Sequence, residues 1–271
     1  MLPLLGDAHA CALVERLDHD FSRFEDRPRF ASVARTLVFD EIVRAFLRAH
    51  PTGTVVELGA GLNTRFERLD NGQQRWFDID LPEVTTLRRA LLPSSTRRLH
   101  VSASVVERSW LELVATAPAP CCFVFEAMLG YVPCDQIRSM LARIARRFPG
   151  ATIALDVHPR WAVVGGELVK SVAPIGLFGP DIPHTIERWQ IGLELVETTR
   201  FLGSTFRTPG PLVLSATRAV DARPAYVVAQ FRAGTEREAL PDHAEQRDAR
   251  TRSMTDVGTC SRHAVQLRRD S

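Results

Sequence analysis

Six polar side chains, Glu57, Asp78, Asp80, Ser104, Glu126 and Asp156, stand at or near the ends of short apolar runs. Five are carboxylates, which accept hydrogen bonds from a diol, pair with a cation or move a proton. The first run, Val55-Val56-Glu57-Leu58, breaks into Gly59-Ala60-Gly61. Glycines there allow a tight turn over which a ligand can lie against the backbone. The next run, Trp76-Phe77-Asp78-Ile79-Asp80, ends in two acids spaced to face the same way on a strand. After a glycine-rich first turn, such carboxylates are placed to accept hydrogen bonds from a ribose. Arg65 and its neighbours stand where a third glycine would complete Gly-x-Gly-x-x-Gly, which disfavours a nicotinamide dehydrogenase. No Gly-Lys-Ser/Thr is present, so the phosphate-cradling loop of nucleoside triphosphate enzymes is excluded.

Periodicity supplies the elements that must carry these groups. Residues 7–25 read as a helix, with Ala10, Leu13, Val14, Leu17 and Phe21 at helical spacing and Asp7 as cap. A second helix is expected from about Pro28 to Ala49, on the stripe Val33, Leu37, Phe39, Val43, Phe46 and Leu47. Arg35 lies within it, and spacing alone favours a solvated arginine. Strands are expected at 55–58, 75–79, 99–103, 121–126 and 151–155, separated by helical stretches at 63–69, 82–92, 110–115 and 135–148. That alternation predicts an α/β fold, a doubly wound, mainly parallel sheet with helices on both faces. Ligands on such sheets sit outside the carboxyl ends of the strands, where the six polar groups fall. Beyond Asp156 the spacing predicts a helix and loop at 161–180, then a helix and a strand around Leu193 to Val196. Leu212 to Thr217 is strand-like, and Tyr226 to Phe231 reads as a last strand, antiparallel at an edge. From about Thr235 the chain is polar and aperiodic, the pattern of a disordered tail.

The chain has 271 residues, 45% hydrophobic and 24% charged, enough for a sizeable core. A net charge of +2 implies neither a nucleic-acid footprint nor a membrane patch. Lys170 is the only lysine, so arginine supplies the positive charge. The five cysteines show no paired metal spacing, and Cys121-Cys122 lie in an apolar run where thiols act as small hydrophobes. Cytoplasmic placement is the expectation, since no signal core or membrane-spanning run is found.

These motifs, in order, resemble the leucine carboxyl methyltransferase family, and within it the bacterial polyketide O-methyltransferases of tetracenomycin type. The matching pieces are Ala34-Arg35-Thr36, Glu57-Leu58-Gly59-Ala60-Gly61-Leu62-Asn63-Thr64-Arg65 and Asp78-Ile79-Asp80-Leu81-Pro82-Glu83-Val84. Ala103-Ser104-Val105 ahead of Trp110, and Glu126 followed by Tyr131, continue the set. The resemblance implies a class I, Rossmann-like methyltransferase fold and S-adenosylmethionine (SAM) as cofactor. It implies that Arg35 holds the methionine carboxylate of SAM, reversing the reading from spacing. It further implies that Gly59 and Gly61 admit the methionine part beside Glu57, Asp80 takes the ribose hydroxyls next to Leu81, Ser104 and Val105 lie by the adenine, and Glu126 meets the amino group. Residues 1–50 would then be a helical lid and 51–234 the SAM-binding domain, with a substrate-covering insertion around 160–205 and a tail at 235–271. Ser104 and Asn63 depart from the acids common at those family positions, and a late start at Met1 would leave a more open site.

The expected reaction is O-methylation of a carboxyl or hydroxyl group on a small, polyketide-like molecule, by a monomer or homodimer. A carboxylate acceptor needs no base; for a phenol or alcohol His158 is a candidate, then Tyr131 and His184. Trp161, Phe178 and Trp189 could line an aromatic pocket or belong to the core. The alternatives are a SAM-binding protein repurposed for cyclisation or rearrangement, and a non-enzymatic scaffold that has lost the cofactor.

Overall fold

The computed structural model describes residues 5–20, 26–157, 181–202 and 224–234. Two helices, α1 (Ala8–Arg16) and α2 (Asp26–Ala49), precede an alternating series. It runs β1 (Thr54–Leu58), α3 (Arg65–Leu69), β2 (Arg75–Asp80), α4 (Pro82–Leu91) and β3 (Arg98–Ser102). Then come α5 (Ser109–Val114), β4 (Cys121–Phe125), a 3-10 turn at Leu129–Tyr131, α6 (Cys134–Arg147) and β5 (Thr152–Val157). Helix α7 (Ile182–Arg188) leads to β6 (Leu193–Leu202) and β7 (Pro224–Ala233).

The strands form one sheet in the order β3-β2-β1-β4-β5-β7-β6. The first five are parallel, with Leu58 opposite Ile79 and Asp80 opposite Ser102, so their carboxyl ends finish level. The chain winds outward from β1 to β3 and then returns to β4 on the other side of β1. That reversal opens a crevice between the ends of β1 and β4, where such sheets bind ligands.

Local chemistry explains each element. β1 and β4 are buried along their whole length, so their apolar runs do not alternate. Pro82 opens α4, where its missing N–H costs nothing. Helix α6 buries Ile137, Met140, Leu141 and Ile144 on one stripe. Those side chains join α5 and β4 in a core on one sheet face. On the other face α2 lays Val38, Phe39, Val43 and Phe46 against Val55, Trp76, Cys122 and Val228.

Two expectations are corrected. Helix α1 stops at Arg16 because Leu17 turns extended, and Val14 of the expected stripe is exposed. The antiparallel pairing of β7 is present, but β7 is interior, between β5 and β6. Val227, Val228, Ala229, Phe231 and Ala233 are all buried, which requires cover on both faces. Among the described residues the outer strand is β6, whose Glu194, Val196, Glu197 and Arg200 are exposed. The strand-like stretch 212–217, the helix and loop expected at 161–180 and the tail from 235 lie outside the described residues.

Candidate functional site

The chain leaves β1 through Gly59 (φ +69°) and Gly61 (φ +50°). A Cβ on Gly59 would lie 2.7 Å from Met128 Cγ, so glycine is required there for space as well as for conformation. The turn is tied to the next strand end. Gly59 N–H donates to the Ile79 carbonyl, and Gly61 N–H donates to Asp80 Oδ2 at 2.7 Å. Asp80 Oδ1 accepts from Leu81 N–H at 2.8 Å. Each carboxylate oxygen is therefore aimed by one backbone donor, with acceptor capacity left over.

Beside these groups lies a cavity of about 410 Å³, within the range of small-molecule sites, roughly 300–1,000 Å³. Gly59, Asp80, Leu81, Ser104 and Val105 line it from the ends of β1, β2 and β3. Met128, Tyr131, Val132, Pro133 and Gln136 line it from the segment after β4. Tyr131 is 51% exposed at the rim. Ala127, also in the lining, has φ +58°, a conformation costing a side-chain-bearing residue about 1–2 kcal/mol. Asp156, wholly buried in β5, holds it there by accepting from Ala127 N–H at 2.8 Å.

A dense ion cluster connects the turn to α2. Arg65, 1% exposed at the start of α3, donates to Asp40 at 2.7 Å, to Glu57 at 2.5 Å and to Glu126. Glu126 also accepts from Arg35 Nε at 3.0 Å and from Thr36 Oγ1 at 2.6 Å, and Arg35 Nη1 lies 3.4 Å from Asp156. Arg68 joins Asp40 to Asp7, which also caps α1. Burial works against ionisation of Glu126, yet Arg65, Arg35 and the Thr36 hydrogen bond hold its carboxyl down at about 2. For Glu57 burial prevails over Arg65 and pushes the carboxyl up. Surrounded by acids, Arg65 is held more firmly charged despite its burial.

The two acids of β2 part company. Asp78 does not join Asp80 at the cavity. It is 2% exposed and faces Arg88 at 2.9 Å, Arg98 at 2.6 Å and His100 Nδ1 at 3.0 Å. The shared face was legible, but β2 recedes under α4, and only its last residue reaches the crevice.

Of the other expected site residues, Arg35, Glu57 and Glu126 lie in the ion cluster rather than in the described cavity lining, and Gly61 braces Asp80. His184 is half exposed on α7, 3.7 Å from Glu187, and Trp189 packs on the main core. His158, Trp161 and Phe178 lie outside the described residues. Sequence reasoning gave no role to Arg65, noted only as breaking the glycine pattern and as closing the family-like stretch from Glu57, nor to Arg88. Their one available signal was an arginine at a helix position otherwise due to face the core.

Three comparisons bear on this geometry. The model of the family described as leucine carboxyl methyltransferase matches residues 7–145, about half of the chain. The tetracenomycin polyketide synthesis O-methyltransferase TcmP of Streptomyces glaucescens is 30% identical over 210 residues, 75% of this chain and 77% of that protein. The S-adenosyl-L-methionine-dependent methyltransferase dpfgK of Gibberella zeae is 28% identical over 163 residues, 54% of this chain and 55% of that one. Among solved structures, a presumptive methyltransferase of Thermobifida fusca YX aligns with a TM-score of 0.55 at 21% identity, covering 76% of this chain and 82% of its own. At that identity the likeness bears on the fold, which is the Rossmann-like methyltransferase sheet.

Proposed function

Since the chain belongs to the leucine carboxyl methyltransferase family, we propose that it methylates a carboxyl or hydroxyl oxygen of a small, polyketide-like molecule, with SAM as donor. One observation carries this reading. The glycine turn, Asp80 and the Ser104-Val105 pair come from three consecutive strand ends and line one cavity.

The residues present suit SAM. Asp80 has acceptor capacity for a ribose diol, already aimed by two backbone N–H groups. Gly59 lines the cavity and carries no side chain, so the methionine part would lie against its backbone. Ser104 and Val105 would flank the adenine, with the half-exposed Leu81 in the same lining. Arg35 would grip the methionine carboxylate and Glu126 its ammonium group, with Arg65, itself held by Glu57 and Asp40, keeping Glu126 in place. Bound SAM supplies a methyl group on a positively charged sulfur, open to displacement by an oxygen.

The protein's part is then alignment and exclusion of water, which can supply several kcal/mol of barrier reduction. Met128, Val132 and Pro133 give the cavity an apolar wall suited to an aromatic or aliphatic acceptor. Tyr131, in the cavity lining, would meet the acceptor, and His158 follows β5 directly in sequence. Either could take a proton from a hydroxyl acceptor; a carboxylate requires neither.

A calorimetric SAM titration of wild type beside Asp80→Ala tests the cofactor assignment. Loss of the ribose contact should weaken binding by about 1–3 kcal/mol. No binding by wild type would sink the proposal. Appearance of S-adenosylhomocysteine with aromatic acids or phenols, and not without them, would identify the acceptor class.

A further inference from the structure

The side chain best placed to govern the glycine turn is not in the turn, nor in any motif that carries the family resemblance. Arg88 projects from α4, is 1% exposed, and spreads its guanidinium under the loop. Nη1 donates to the Gly61 carbonyl at 2.7 Å and the Ala60 carbonyl at 3.4 Å, and Nη2 donates to the Asn63 carbonyl at 2.8 Å. Nη2 also lies 2.9 Å from Asp78 Oδ1. One planar cation thus gathers three carbonyls of the turn and is itself anchored to the buried acid of β2.

The Gly61 residue is held from both sides. Its carbonyl accepts from Arg88, and its N–H donates to Asp80 at 2.7 Å. Rotation of that residue would withdraw the donor that aims Asp80 Oδ2. Asp78 and Asp80, two residues apart, thereby act in series: Asp78 fixes Arg88, Arg88 fixes Gly61, and Gly61 aims Asp80.

We propose that Arg88 is a positioning residue for SAM: without touching the ligand, it sets the turn that orients the ribose-binding carboxylate of Asp80. This rests on the SAM reading above and extends it to a residue outside the cavity.

Arg98 provides a matched control. It is equally buried and bonds the same Asp78 carboxylate, but its guanidinium otherwise meets Glu67 and the Phe66 ring, and among the described residues it makes no hydrogen bond to the turn. SAM titrations would compare wild type, Arg88→Met, Arg98→Met, Asp80→Asn and the Arg88→Met/Asp80→Asn double variant. Arg88→Met should raise the SAM Kd about tenfold or more in the wild-type background, but less than about threefold once Asp80 is already Asn. Arg98→Met should leave Kd within about threefold while lowering thermal stability comparably. Equal losses of affinity in the two arginine variants, or the same loss from Arg88→Met in both backgrounds, would overturn the proposal. Should Arg88→Met not fold, Arg88→Lys keeps the charge beside Asp78 but not the fork over three carbonyls. Its Kd should still rise more than about threefold, and an unchanged Kd would overturn the proposal. Failure of wild type to bind SAM would instead refute the cofactor assignment itself.

Discussion

Arg65 and Glu126, 61 residues apart in the chain, form an ion pair in which the guanidinium is 1% exposed. The pair joins the glycine turn to the end of β4, and Asp40 and Glu57 complete the coordination of the arginine. Removing one partner of a dry pair strands the others. Arg65→Met should therefore lower stability by about 3–5 kcal/mol, read from urea unfolding at neutral pH. A loss near the 0–1 kcal/mol typical of surface pairs would show that water reaches the cluster.

Gly59 and Gly61 should respond unequally to alanine. Both have positive φ, costing an alanine about 1–2 kcal/mol. Only at Gly59 does the new methyl meet an obstacle, Met128 Cγ at 2.7 Å; nothing lies within 4 Å at Gly61. Gly59→Ala should thus melt lower and bind SAM more weakly than Gly61→Ala. The reverse order in paired melts and titrations would mean that Met128 yields without cost.

Acid should weaken the fold through Asp78. Burial opposes its charge, but the His100 contact and the Arg88 and Arg98 charges outweigh that and hold the carboxyl at about 2. An unfolded aspartate titrates near ~3.9. A carboxyl depressed on folding contributes stability above its unfolded value, and loses it as pH falls through the folded one. From about pH 5 to pH 2 the protein should lose roughly 2–3 kcal/mol through this residue. Glu126 has the same sign; Glu57, pushed up, has the opposite sign. Asp78→Asn isolates the effect: it should be less stable at pH 7 and have a flatter stability profile across that window. Parallel profiles in denaturant titrations would rule out the assignment.

The thiols should divide by exposure. Cys11 is exposed, whereas burial pushes Cys121 up to about 11 and Cys122 further still. The thiolate is the reactive form. Iodoacetamide at pH 8 should label Cys11 in the native protein, and Cys121 and Cys122 only after denaturation, as read by peptide mass spectrometry. Native labelling of Cys122 would require β4 to open.

Much of the sheet was legible because its strands advertise themselves locally. Val55-Val56, Phe77 and Cys121 to Phe125 are apolar runs bounded by turns, and the parallel order follows from the helices between them. Pairing partners are not local, so Tyr226 to Phe231 could be recognised as a strand without revealing that β6 would cover it. The same holds at the site. The spacing of Asp78 and Asp80 announced a common face, but only the fold shows Arg88 and Arg98 closing over the first and leaving the second. The role of Arg65 was not legible because its partners, Asp40, Glu57 and Glu126, come from three separate segments. Arg35 sat on a helix where spacing suggested solvent, yet it is 9% exposed and pairs with Glu126.

The outer position of β6 has a colloidal consequence. A sheet margin with free backbone groups invites the margin of another molecule, and sheets resist this by placing charge there. Among the described side chains of β6, Glu194, Glu197 and Arg200 are exposed beside the apolar Val196. A second chain adding to that margin would have to set its own acids against these. Among the described residues this is the charge that would oppose edge-to-edge pairing, and valines at 194 and 197 should raise self-association in light scattering while leaving the cavity lining unchanged.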